Sequence, residues 1–516
     1  MMKIPSIEQI RECEKYTMEH KPITSIELME IAARACVYQI KKMSKESMQF
    51  APQKTTIAVF CGMGNNGGDG LAVARLLCES GYNCTPYIVK HREEYSQECL
   101  HQIKLLEERN IPIMMVEKED TRLLKSQTNF IIDAMLGIGL SKEIDHPLLK
   151  SVIRLINRSK AFVFAIDTPS GLLDSRESMQ NIGAAEDSIV EADFTLTFQF
   201  PKLHFLFPET YKYVGEWETA NIQLDYKFLN NFDINNNLIN PYAIKVINRK
   251  RGKFSNKGDF GHGLLIAGSY GMMGSAVLAA KAALRTGIGL LTANVPKIGY
   301  NIMQSTVNEA LCRCDEHEEH FTGIPFSELE KYNAVAIGCG IGTHPDTAQG
   351  LKKLIGDYGG TLIIDADAIN ILAENKTWLE FVPPNSIFTP HHKEFERLTR
   401  KAIDSYDRLE LQREFSIRYN CMVVLKGAHT SISTPQGNVF FNTSGNPGLA
   451  TGGSGDVLTG MLLALIAQGY TASQAAITGV YLHGIAADKC LKRQSYESLL
   501  PSDVIESIGA GFKGIV

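Results

Sequence analysis

Short apolar runs alternate with helical patterns along most of this chain. In the first half, five runs are typical of buried strands, and they lie at 55–61, 84–89, 111–116, 129–134 and 161–167. Segments with helical spacing separate them, such as L-A-V-A-R-L-L-C-E-S and L-L-K-S-V-I-R-L-I. A mostly parallel sheet covered by helices on both faces produces this alternation. We therefore predict an α/β fold.

The second half repeats the pattern. Its apolar runs are G-L-L-I-A-G, A-V-A-I-G-C, T-L-I-I-D-A, S-I-F-T-P and C-M-V-V-L-K, followed by a predicted hairpin, T-S-I-S-T-P-Q-G-N-V-F-F-N. A chain of 516 residues is too long for one hydrophobic core. The Asn-rich segment between the halves ends in proline, which disfavours both helix and strand. We predict domains at 1–229 and 242–516, joined by a linker at 230–241.

Composition excludes several partners and locations. The hydrophobic content of 44%, the charged content of 21% and the net charge of -5 give no reason to expect nucleic acid or an anionic membrane as a partner. The N-terminus has no signal-peptide pattern and no run reaches transmembrane length, so we expect a cytoplasmic protein. Eleven cysteines without a C-x-x-C pair argue against a disulfide framework and a structural zinc site.

A glycine-rich motif precedes an apolar helix near the C-terminus. It reads S-G-N-P-G-L-A-T-G-G-S-G-D-V-L-T-G and covers 444–460. Backbone N–H groups and the helix dipole can bind an anion at such a turn, since no side chains block it. The carboxylate of Asp456, directly after this turn, could take the proton of a hydroxyl during phosphoryl transfer. The alternative is that Gly455 and Asp456 form only a turn and a helix N-cap.

Three motifs in the first half each follow a predicted strand. They are G-M-G-N-N-G-G-D-G at 62–70, D-A-M-L-G-I-G-L from Asp133 and D-T-P-S-G-L from Asp167. In an open parallel sheet these strand ends face one crevice, at the switch in strand order. Asn66, Asp133 and Ser170 could therefore offer oxygen atoms to one hard cation, while the glycine-rich loop binds phosphate. Separately, each motif could be an ordinary turn or cap, with Asp69 as an N-cap.

The motifs resemble two enzyme families. The first half resembles the NAD(P)HX epimerase family, or YjeF N-terminal domain, through N-N-G-G-D-G, D-A-M-L-G-I-G-L and D-T-P-S-G-L. The second half resembles the NAD(P)HX dehydratase family, a branch of the ribokinase-like kinases, through G-C-G-I-G, D-A-D-A-I-N, T-P-H-H-K-E, L-K-G-A-H-T and the glycine-rich motif. The resemblance covers nearly the whole chain, in the order found in bifunctional nicotinamide nucleotide repair enzymes. It implies a Rossmann-like parallel-sheet domain followed by a ribokinase-like α/β domain.

The resemblance also implies an activity. The first domain would epimerise the R and S forms of hydrated NADH or NADPH, and the second would dehydrate the S form with ADP, giving AMP and phosphate. We hypothesise that Asp167 protonates the hydroxide leaving C6 of the nicotinamide ring, and that Asp456 deprotonates this hydroxyl for phosphorylation. The implied cofactors are potassium in the epimerase domain and magnesium in the dehydratase domain. Related proteins commonly self-associate, so a homo-oligomer is expected.

Site residues follow by similarity to the families' motifs. The epimerase substrate would contact Asn65, Asn66, Gly67, Gly68, Asp69, Gly137, Ile138, Gly139, Leu140, Ser141, Lys142, Glu143 and Asp167. Potassium would bind Asn66, Asp133 and Ser170. The dehydratase substrate would face Ser275, Gly340, His391 and Asp456, and the adenine nucleotide would contact Lys426, Gly427, Ala428, His429, Thr430 and Gly455. The chain departs from the families at Thr168, at Lys393 and in I-R-E-C-E, where M-R-x-x-D is usual.

Two alternatives stay open at this point. The second domain could be a vitamin-precursor or sugar kinase that releases a stable phosphorylated product. The first domain could be a non-catalytic binding or dimerisation module, which predicts eroded loops. The presence of Asn66, Asp69, Asp133, Asp167 and Ser170 favours an active site instead.

Overall fold

The computed structural model describes residues 1–46, 50–52, 54–120, 124–140, 142–176, 182 and 186–515. The chain forms two compact units. The N-terminal unit is Lys3–Ile234, and the C-terminal unit is Asn235–Val516 with Met1–Met2. None of the helices in these described ranges has the length and apolarity needed to span a membrane.

The N-terminal unit contains a seven-stranded sheet in which every neighbouring pair is parallel. After the two-residue strand β1 (Met2–Lys3), its strands are β2 (Thr56–Cys61), β3 (Asn83–Val89), β4 (Met114–Val116), β5 (Phe130–Ala134), β6 (Phe162–Ile166), β7 (Phe194–Phe198) and β8 (Glu216–Ala220). Its helices are α1 (Ile7–His20), α2 (Ser25–Glu46), α3 (Asn65–Glu79), α4 (Gln97–Glu108), α5 (Pro147–Asn157) and α6 (Tyr211–Val214).

The strand order is β4-β3-β2-β5-β6-β7-β8, so the direction of winding reverses between β2 and β5. Both faces of the sheet are covered, which explains why β2 is apolar at successive positions. Ile57 and Val59 pack into one hydrophobic cluster, while Ala58 and Phe60 pack into another. The reversal creates a crevice at the carboxyl ends of β2 and β5, where two of the three first-half motifs begin.

The predicted strands of the first half are confirmed, with small shifts at their ends. Two further strands, β7 and β8, were not predicted. In β7, Thr195 and Thr197 interrupt the apolar pattern, but both side chains are buried. Their hydroxyls are satisfied, since Thr195 donates to the Val214 carbonyl at 2.7 Å and Thr197 donates to Asp167 at 3.2 Å. Paired hydroxyls allow these polar residues to occupy a buried strand.

The C-terminal unit is built on an eleven-stranded sheet with the order β1-β9-β18-β17-β16-β15-β14-β13-β10-β11-β12. Its strands are β9 (Asn236–Leu238), β10 (His262–Ile266), β11 (Leu290–Val295), β12 (Leu311–Cys314), β13 (Ala334–Ile337), β14 (Leu362–Ile364), β15 (Ile387–Phe388), β16 (Met422–Leu425), β17 (Ser431–Ser433) and β18 (Val439–Phe441). Its helices are α7 (Pro241–Ile247), α8 (Met273–Arg285), α9 (Tyr300–Thr306), α10 (Phe326–Leu329), α11 (Pro345–Asp357), α12 (Ala366–Glu374), α13 (His392–Leu398), α14 (Ser405–Arg418), α15 (Ser454–Ala467), α16 (Ala472–Cys490) and α17 (Pro501–Lys513).

The pairing from β12 to β16 is parallel, whereas β17 runs antiparallel to β16 and β18. The order reverses between β10 and β13, which opens a second crevice at the carboxyl ends of these strands. The predicted strands and the β17–β18 hairpin are confirmed, and so is the α/β fold. Strand β11 was not predicted, and the sequence left Cys312 and Cys314, which lie in β12, open between strand and loop.

The segment predicted as a linker, 230–241, contains regular structure. Strand β9 pairs in parallel with β18, and the next helix, α7, begins at Pro241. The side chain of Asn240 caps this helix by accepting from the Ala243 N–H at 2.9 Å. The expectation that Asn and Pro would prevent both helix and strand is therefore wrong, because Asn serves as an N-cap and Pro as the first helical residue. The division between the units falls within this segment, between Ile234 and Asn235.

Candidate active sites

The glycine-rich loop after β2 leads directly into α3. The N-cap of this helix is Gly64, and no side chain caps it, so the N–H groups of its first turn point outward free of side-chain partners. A Cβ on Gly67 would lie 2.0 Å from the Gly62 carbonyl oxygen, so this loop admits no larger residue there. Asp69 lies within α3 rather than at its N-cap, so the alternative reading of Asp69 as a cap is wrong.

Two of the three predicted cation ligands are in direct contact. The Asp133 carboxylate accepts from the Ser170 hydroxyl at 2.6 Å and from the Ser170 N–H at 2.7 Å. Burial raises the pKa of Asp133 to about 6, although hydrogen bonds from Ser170 and from the Met135 N–H oppose this shift. Asn66 adjoins the loop after β5, because a Cβ on Gly137 would lie 3.3 Å from its Cγ. Among the described residues, the buried Nδ2 atom of Asn66 has no hydrogen-bond partner.

The donor set of these three residues fits a hard cation. Asp133 is fully buried, and within the described ranges no lysine or arginine pairs with it. A buried carboxylate without a counter-charge is costly, and a bound cation would offset that cost. Hydroxyl, amide and carboxylate oxygens are ligands for hard cations.

Asp167 follows β6 in a conformation that is rare for a residue with a side chain. Its φ of 64° lies in the left-handed region, and such strain persists only where the surroundings enforce it. One carboxylate oxygen, Oδ1, accepts from Lys202 Nζ at 2.5 Å and from the Phe198 N–H at 3.1 Å. Lys202 is completely buried. Sequence reasoning missed Lys202, because a single lysine in Q-F-P-K-L has no informative spacing.

A cavity of about 640 Å³ opens at the carboxyl ends of β2, β5 and β6. Most of the predicted epimerase-site residues line it: Asn65, Asn66, Asp69, Gly137, Ile138, Gly139, Leu140 and Asp167. Gly67 and Gly68 are buried beneath it, whereas Lys142 and Glu143 are exposed and do not line it. Ser141 lies outside the described residues. Arg11 donates to the Ile138 carbonyl at 2.5 Å, which ties α1 to the loop after β5.

In the C-terminal unit, α15 begins immediately after a residue with left-handed backbone. Gly453 has φ of 96°, and a Cβ there would lie 2.7 Å from Leu278 Cδ1. No side chain caps α15, so the N–H groups of its first turn remain available. Asp456 lies within this first turn. The alternative reading of Asp456 as an N-cap is wrong, because Gly453 occupies the cap position.

Asp456 lies against the ends of α8 and β13. Burial raises its pKa, while hydrogen bonds from Ser275 and Cys339 oppose the shift. Gly340 adjoins the same place, since a Cβ on it would lie 3.1 Å from Ser275 Cβ. The structure thus brings together three of the four predicted dehydratase-substrate residues. Cys339 was missed, because a cysteine within G-C-G-I-G gives no signal of its own.

A lysine–aspartate pair lies beside α15. Lys426 Nζ donates to Asp365 Oδ1 at 2.9 Å, and the Thr459 hydroxyl donates to Asp365 Oδ2 at 2.7 Å. A Cβ on Gly455 would lie 3.4 Å from Lys426 Nζ, which places two predicted nucleotide residues side by side. Burial lowers the pKa of Lys426, but the carboxylates of Asp365 and Glu394 outweigh this and raise it. Sequence reasoning named Lys426 but not Asp365 or Thr459.

The remaining predicted residues follow β15 and β16. His391 caps α13, since its Nδ1 accepts from the Lys393 N–H at 3.1 Å and the Glu394 N–H at 3.2 Å. Its backbone forms a parallel bridge with Lys426. After Lys426 the chain turns tightly, with the Thr430 hydroxyl donating to the Gly427 carbonyl at 3.0 Å. Gly427 and Ala428 are exposed, and burial lowers the pKa of His429.

Three further side chains have potential metal-ligand atoms close to one another. Ligand atoms of His320, His344 and Asp346 lie within 4.8 Å of one another. The Nδ1 atom of His344, however, accepts from the Asp346 N–H at 3.2 Å as the cap of α11. This lone pair is therefore already used, and the helix cap accounts for the proximity of His344 to Asp346.

Comparisons with known proteins match both halves of the chain. A family model described as NAD(P)H-hydrate dehydratase matches residues 263–509, and one described as YjeF-related protein N-terminus matches residues 25–204. The bifunctional NAD(P)H-hydrate repair enzyme of Moorella thermoacetica is 31% identical over 94% of this chain and 92% of its own. That of Coxiella burnetii is 32% identical over 96% of each. A similar solved structure is that of ADP/ATP-dependent NAD(P)H-hydrate dehydratase from Bacillus subtilis, co-crystallised with ATP and Mg²⁺. The match covers 55% of this chain and all of that one, with 26% sequence identity and a TM-score of 0.47. The chain belongs to the family of bifunctional NAD(P)H-hydrate repair enzymes.

Proposed function

We propose that this chain repairs hydrated NADH and NADPH with two activities, one in each unit. The N-terminal unit interconverts the R and S epimers of the hydrate. The C-terminal unit dehydrates the S epimer at the expense of ADP and releases AMP, phosphate and NAD(P)H. The observation that carries this conclusion is the position of Asp456 at the uncapped N-terminus of α15, in a chain that resembles bifunctional repair enzymes over 94% of its length.

In the C-terminal unit, phosphorylation turns hydroxide into a competent leaving group. The Asp456 carboxylate takes the proton of the C6 hydroxyl as this oxygen bonds to the β-phosphorus of ADP, and AMP leaves. The N–H groups at the start of α15 stabilise the negative charge of the transferred group. The C6–O bond then breaks, phosphate departs, and loss of a C5 proton restores the dihydropyridine ring.

The substrates occupy the two sides of Asp456 in this proposal. The hydrate contacts Ser275, Gly340 and His391, while Lys426, Gly427, Ala428, His429, Thr430 and Gly455 bind the adenine nucleotide. The ion pair between Lys426 and Asp365 supports the nucleotide side, because it fixes the lysine beside Gly455. Magnesium would accompany the nucleotide and neutralise its phosphate charge, and Asp365 is the nearest carboxylate beside Lys426.

In the N-terminal unit, the nicotinamide ring enters the cavity beside Asp167. The negative charge of Asp167 favours the positive ring that forms when the C6 hydroxyl departs. Asn65, Asn66, Asp69 and the loop after β5 contact the rest of the substrate. The uncapped N-terminus of α3 suits the pyrophosphate of the dinucleotide.

Potassium is the cation we propose for Asn66, Asp133 and Ser170. Its charge would offset the buried Asp133 carboxylate, and these three residues would hold it between the loops that follow β5 and β6. Ser170 contributes to both loops, because its hydroxyl accepts from the Leu136 N–H at 2.8 Å and donates to Asp133.

The deciding experiment follows recovery of NADH from a mixture of hydrated R and S epimers, with and without ADP. We expect both epimers to be recovered, with AMP and inorganic phosphate as the other products. The Asp167→Asn variant should recover only the S half. A stable phosphorylated product, without inorganic phosphate, would indicate a kinase and contradict the proposal. Failure to convert R to S would assign the N-terminal unit a non-catalytic role.

The expected homo-oligomer and the cytoplasmic location stay predictions. The apolar stretch 26–33 of α2 contributes mainly to the core of its own unit, since Met29, Ala32 and Ala33 are buried. Light scattering on the purified chain measures the oligomeric state directly.

A further inference from the structure

Glu14 is a cavity-lining carboxyl that the proposed chemistry does not use, and it ends the I-R-E-C-E segment, where M-R-x-x-D is usual in the family. It lies on α1 next to Cys13, which belongs to the buried face of that helix. Glu14 lines the same cavity as Asp69 and Asp167. Within the described part of the chain, no hydrogen bond holds the Glu14 carboxyl. It is therefore free to exchange a proton with a ligand in the cavity.

Asp167 is poorly suited to carry a proton. Its Oδ1 already accepts from Lys202 Nζ, from the Phe198 N–H and from the Thr197 hydroxyl. Protonating this carboxylate would break the ion pair and leave the fully buried Lys202 ammonium without a counter-charge, which is costly. Asp167 is thus already engaged by Lys202, and the epimerase reaction needs a second group for proton transfer.

Glu14 has the acidity that proton transfer near neutral pH requires. Burial, and then the negative charge of Asp167, raise its pKa to about 7 against the opposing charges of Lys202 and Arg11. Burial also raises the pKa of Asp69, with contributions from Asp167 and Glu14. The other charged or titratable side chains lining the cavity are His91, Arg92 and Glu98. A general acid is most effective when its pKa lies near the working pH.

We propose that Glu14 is a catalytic residue of the epimerase site and carries the proton of the reaction. This inference rests on the proposed epimerase activity. The Glu14 carboxyl donates its proton to the C6 hydroxyl, the C6–O bond breaks to release water, and the lone pair of the ring nitrogen forms a C=N bond. Water then adds to the opposite ring face. A new C6–O bond forms, the electron pair returns to nitrogen, and the proton of the added water returns to the Glu14 carboxylate through water in the cavity.

The test compares Glu14→Gln with Glu12→Gln, an exposed neighbour on the same helix. For conversion of the R to the S epimer, resolved by chromatography, Glu14→Gln should lower kcat at least about 100-fold. Its KM should stay within about threefold, because the interaction acts in the transition state. Glu12→Gln should match the wild type, and both variants should keep the wild-type dehydratase rate on pure S epimer.

The pH profile separates proton transfer from a merely structural role. Wild-type kcat/KM should fall about tenfold per pH unit above about pH 7, as Glu14 of the free enzyme loses its proton. The residual rate of Glu14→Gln should be flat over this range. Compared with Glu14→Gln, the Glu14→Asp variant should regain part of the epimerisation rate and should again lose activity as pH rises. It serves as a second probe if Glu14→Gln has a lower melting temperature than the wild type.

Three outcomes would overturn the assignment of Glu14. They are a kcat within about threefold of wild type in Glu14→Gln, an unchanged pH profile, and an effect confined to KM. A wild-type chain that does not epimerise would reject the proposed function instead, so the two failures are distinguishable.

Discussion

Both units hold a lysine–aspartate pair at the carboxyl edge of a parallel sheet, but the pairs use different aspartates. In the N-terminal unit, Lys202 pairs at 2.5 Å with Asp167, the proposed catalytic carboxylate. In the C-terminal unit, Lys426 pairs at 2.9 Å with Asp365, and among the described residues no lysine forms an ion pair with Asp456. The Lys202 side chain is fully buried, whereas a quarter of the Lys426 side chain is exposed.

The position of the lysine decides what each carboxylate can do. A carboxylate paired with a buried ammonium group keeps its charge, which suits stabilisation of a cationic ring. A carboxylate without such a partner, and with a pKa raised by burial, is a better proton acceptor. Asp456 is therefore the base in its unit, while in the other unit proton transfer is assigned to Glu14 rather than Asp167.

The largest expected effect comes from removing the unpaired carboxylate. Asp456→Asn keeps the shape of the side chain but abolishes the base, so the kcat of dehydration should fall about 1,000-fold. Stopped assays of inorganic phosphate release measure this rate. Epimerisation in the same preparation is the control and should be unchanged. A dehydration rate near wild type would show that Asp456 is not the base.

Removing each lysine in turn should lower the free energy of unfolding of the two units by different amounts. Lys202→Met leaves Asp167 buried without its partner and should lower the free energy of unfolding of the N-terminal unit by about 3 kcal/mol. Lys426→Met removes a lysine that is a quarter exposed and leaves the buried Asp365 with its hydrogen bond from Thr459, so its loss should be smaller, about 2 kcal/mol. Urea unfolding followed separately for each unit checks the order. Equal losses would mean that the two pairs do not differ as their burial indicates.

A smaller effect is expected from the hydrogen bond that Ser275 makes to Asp456. Ser275→Ala removes this bond from a charged group, so the kcat of dehydration should fall about tenfold. The Ser305→Ala variant, at an exposed serine in α9, provides the control because it lies outside the site. Unchanged turnover in Ser275→Ala would show that the bond does not orient the carboxylate during the reaction.

The smallest effect is a shift in pH dependence. Asp456 must be ionised to act as a base, so the kcat of dehydration should rise as pH increases through its raised pKa. The Ser275 hydrogen bond favours the ionised form, so the rising limb of Ser275→Ala should lie at higher pH than that of the wild type. If the kcat of dehydration rises over the same pH range in both proteins, this role for Ser275 is contradicted.

Much of the scaffold could be predicted because its signals are local. Apolar runs located β2, β5 and β6, and the strand-end rule predicted that Asp133 and Ser170 would lie together, 37 residues apart in sequence. The free N-terminus of α15 also followed from its glycines. In the linker, the Asn residues of β9 gave a misleading signal, because backbone pairing with β18 compensates for their low strand propensity.

The charge partners could not be predicted, because they depend on long-range folding. Lys202 reaches Asp167 across 35 residues, and Lys426 reaches Asp365 across 61. Neither spacing is periodic, so no helix or strand pattern connects them. The segment I-R-E-C-E contains Glu14, but the role of this residue was missed for the same reason, since burial and Asp167, a residue of a different element, raise its pKa. Local motifs thus predict the loops, whereas the fold determines which carboxylate is paired.

The central claim, that the substrate hydroxyl is phosphorylated before it leaves, can be tested by following its oxygen atom. Hydrated NADH prepared in ¹⁸O-water carries the label at C6, and the S epimer should be given with ADP to the Asp167→Asn variant, so that epimerisation does not exchange the label. We predict that the inorganic phosphate released, analysed by mass spectrometry, contains one ¹⁸O atom. Label released as water, with unlabelled phosphate, would contradict phosphoryl transfer to the hydroxyl and the role of Asp456 as its base.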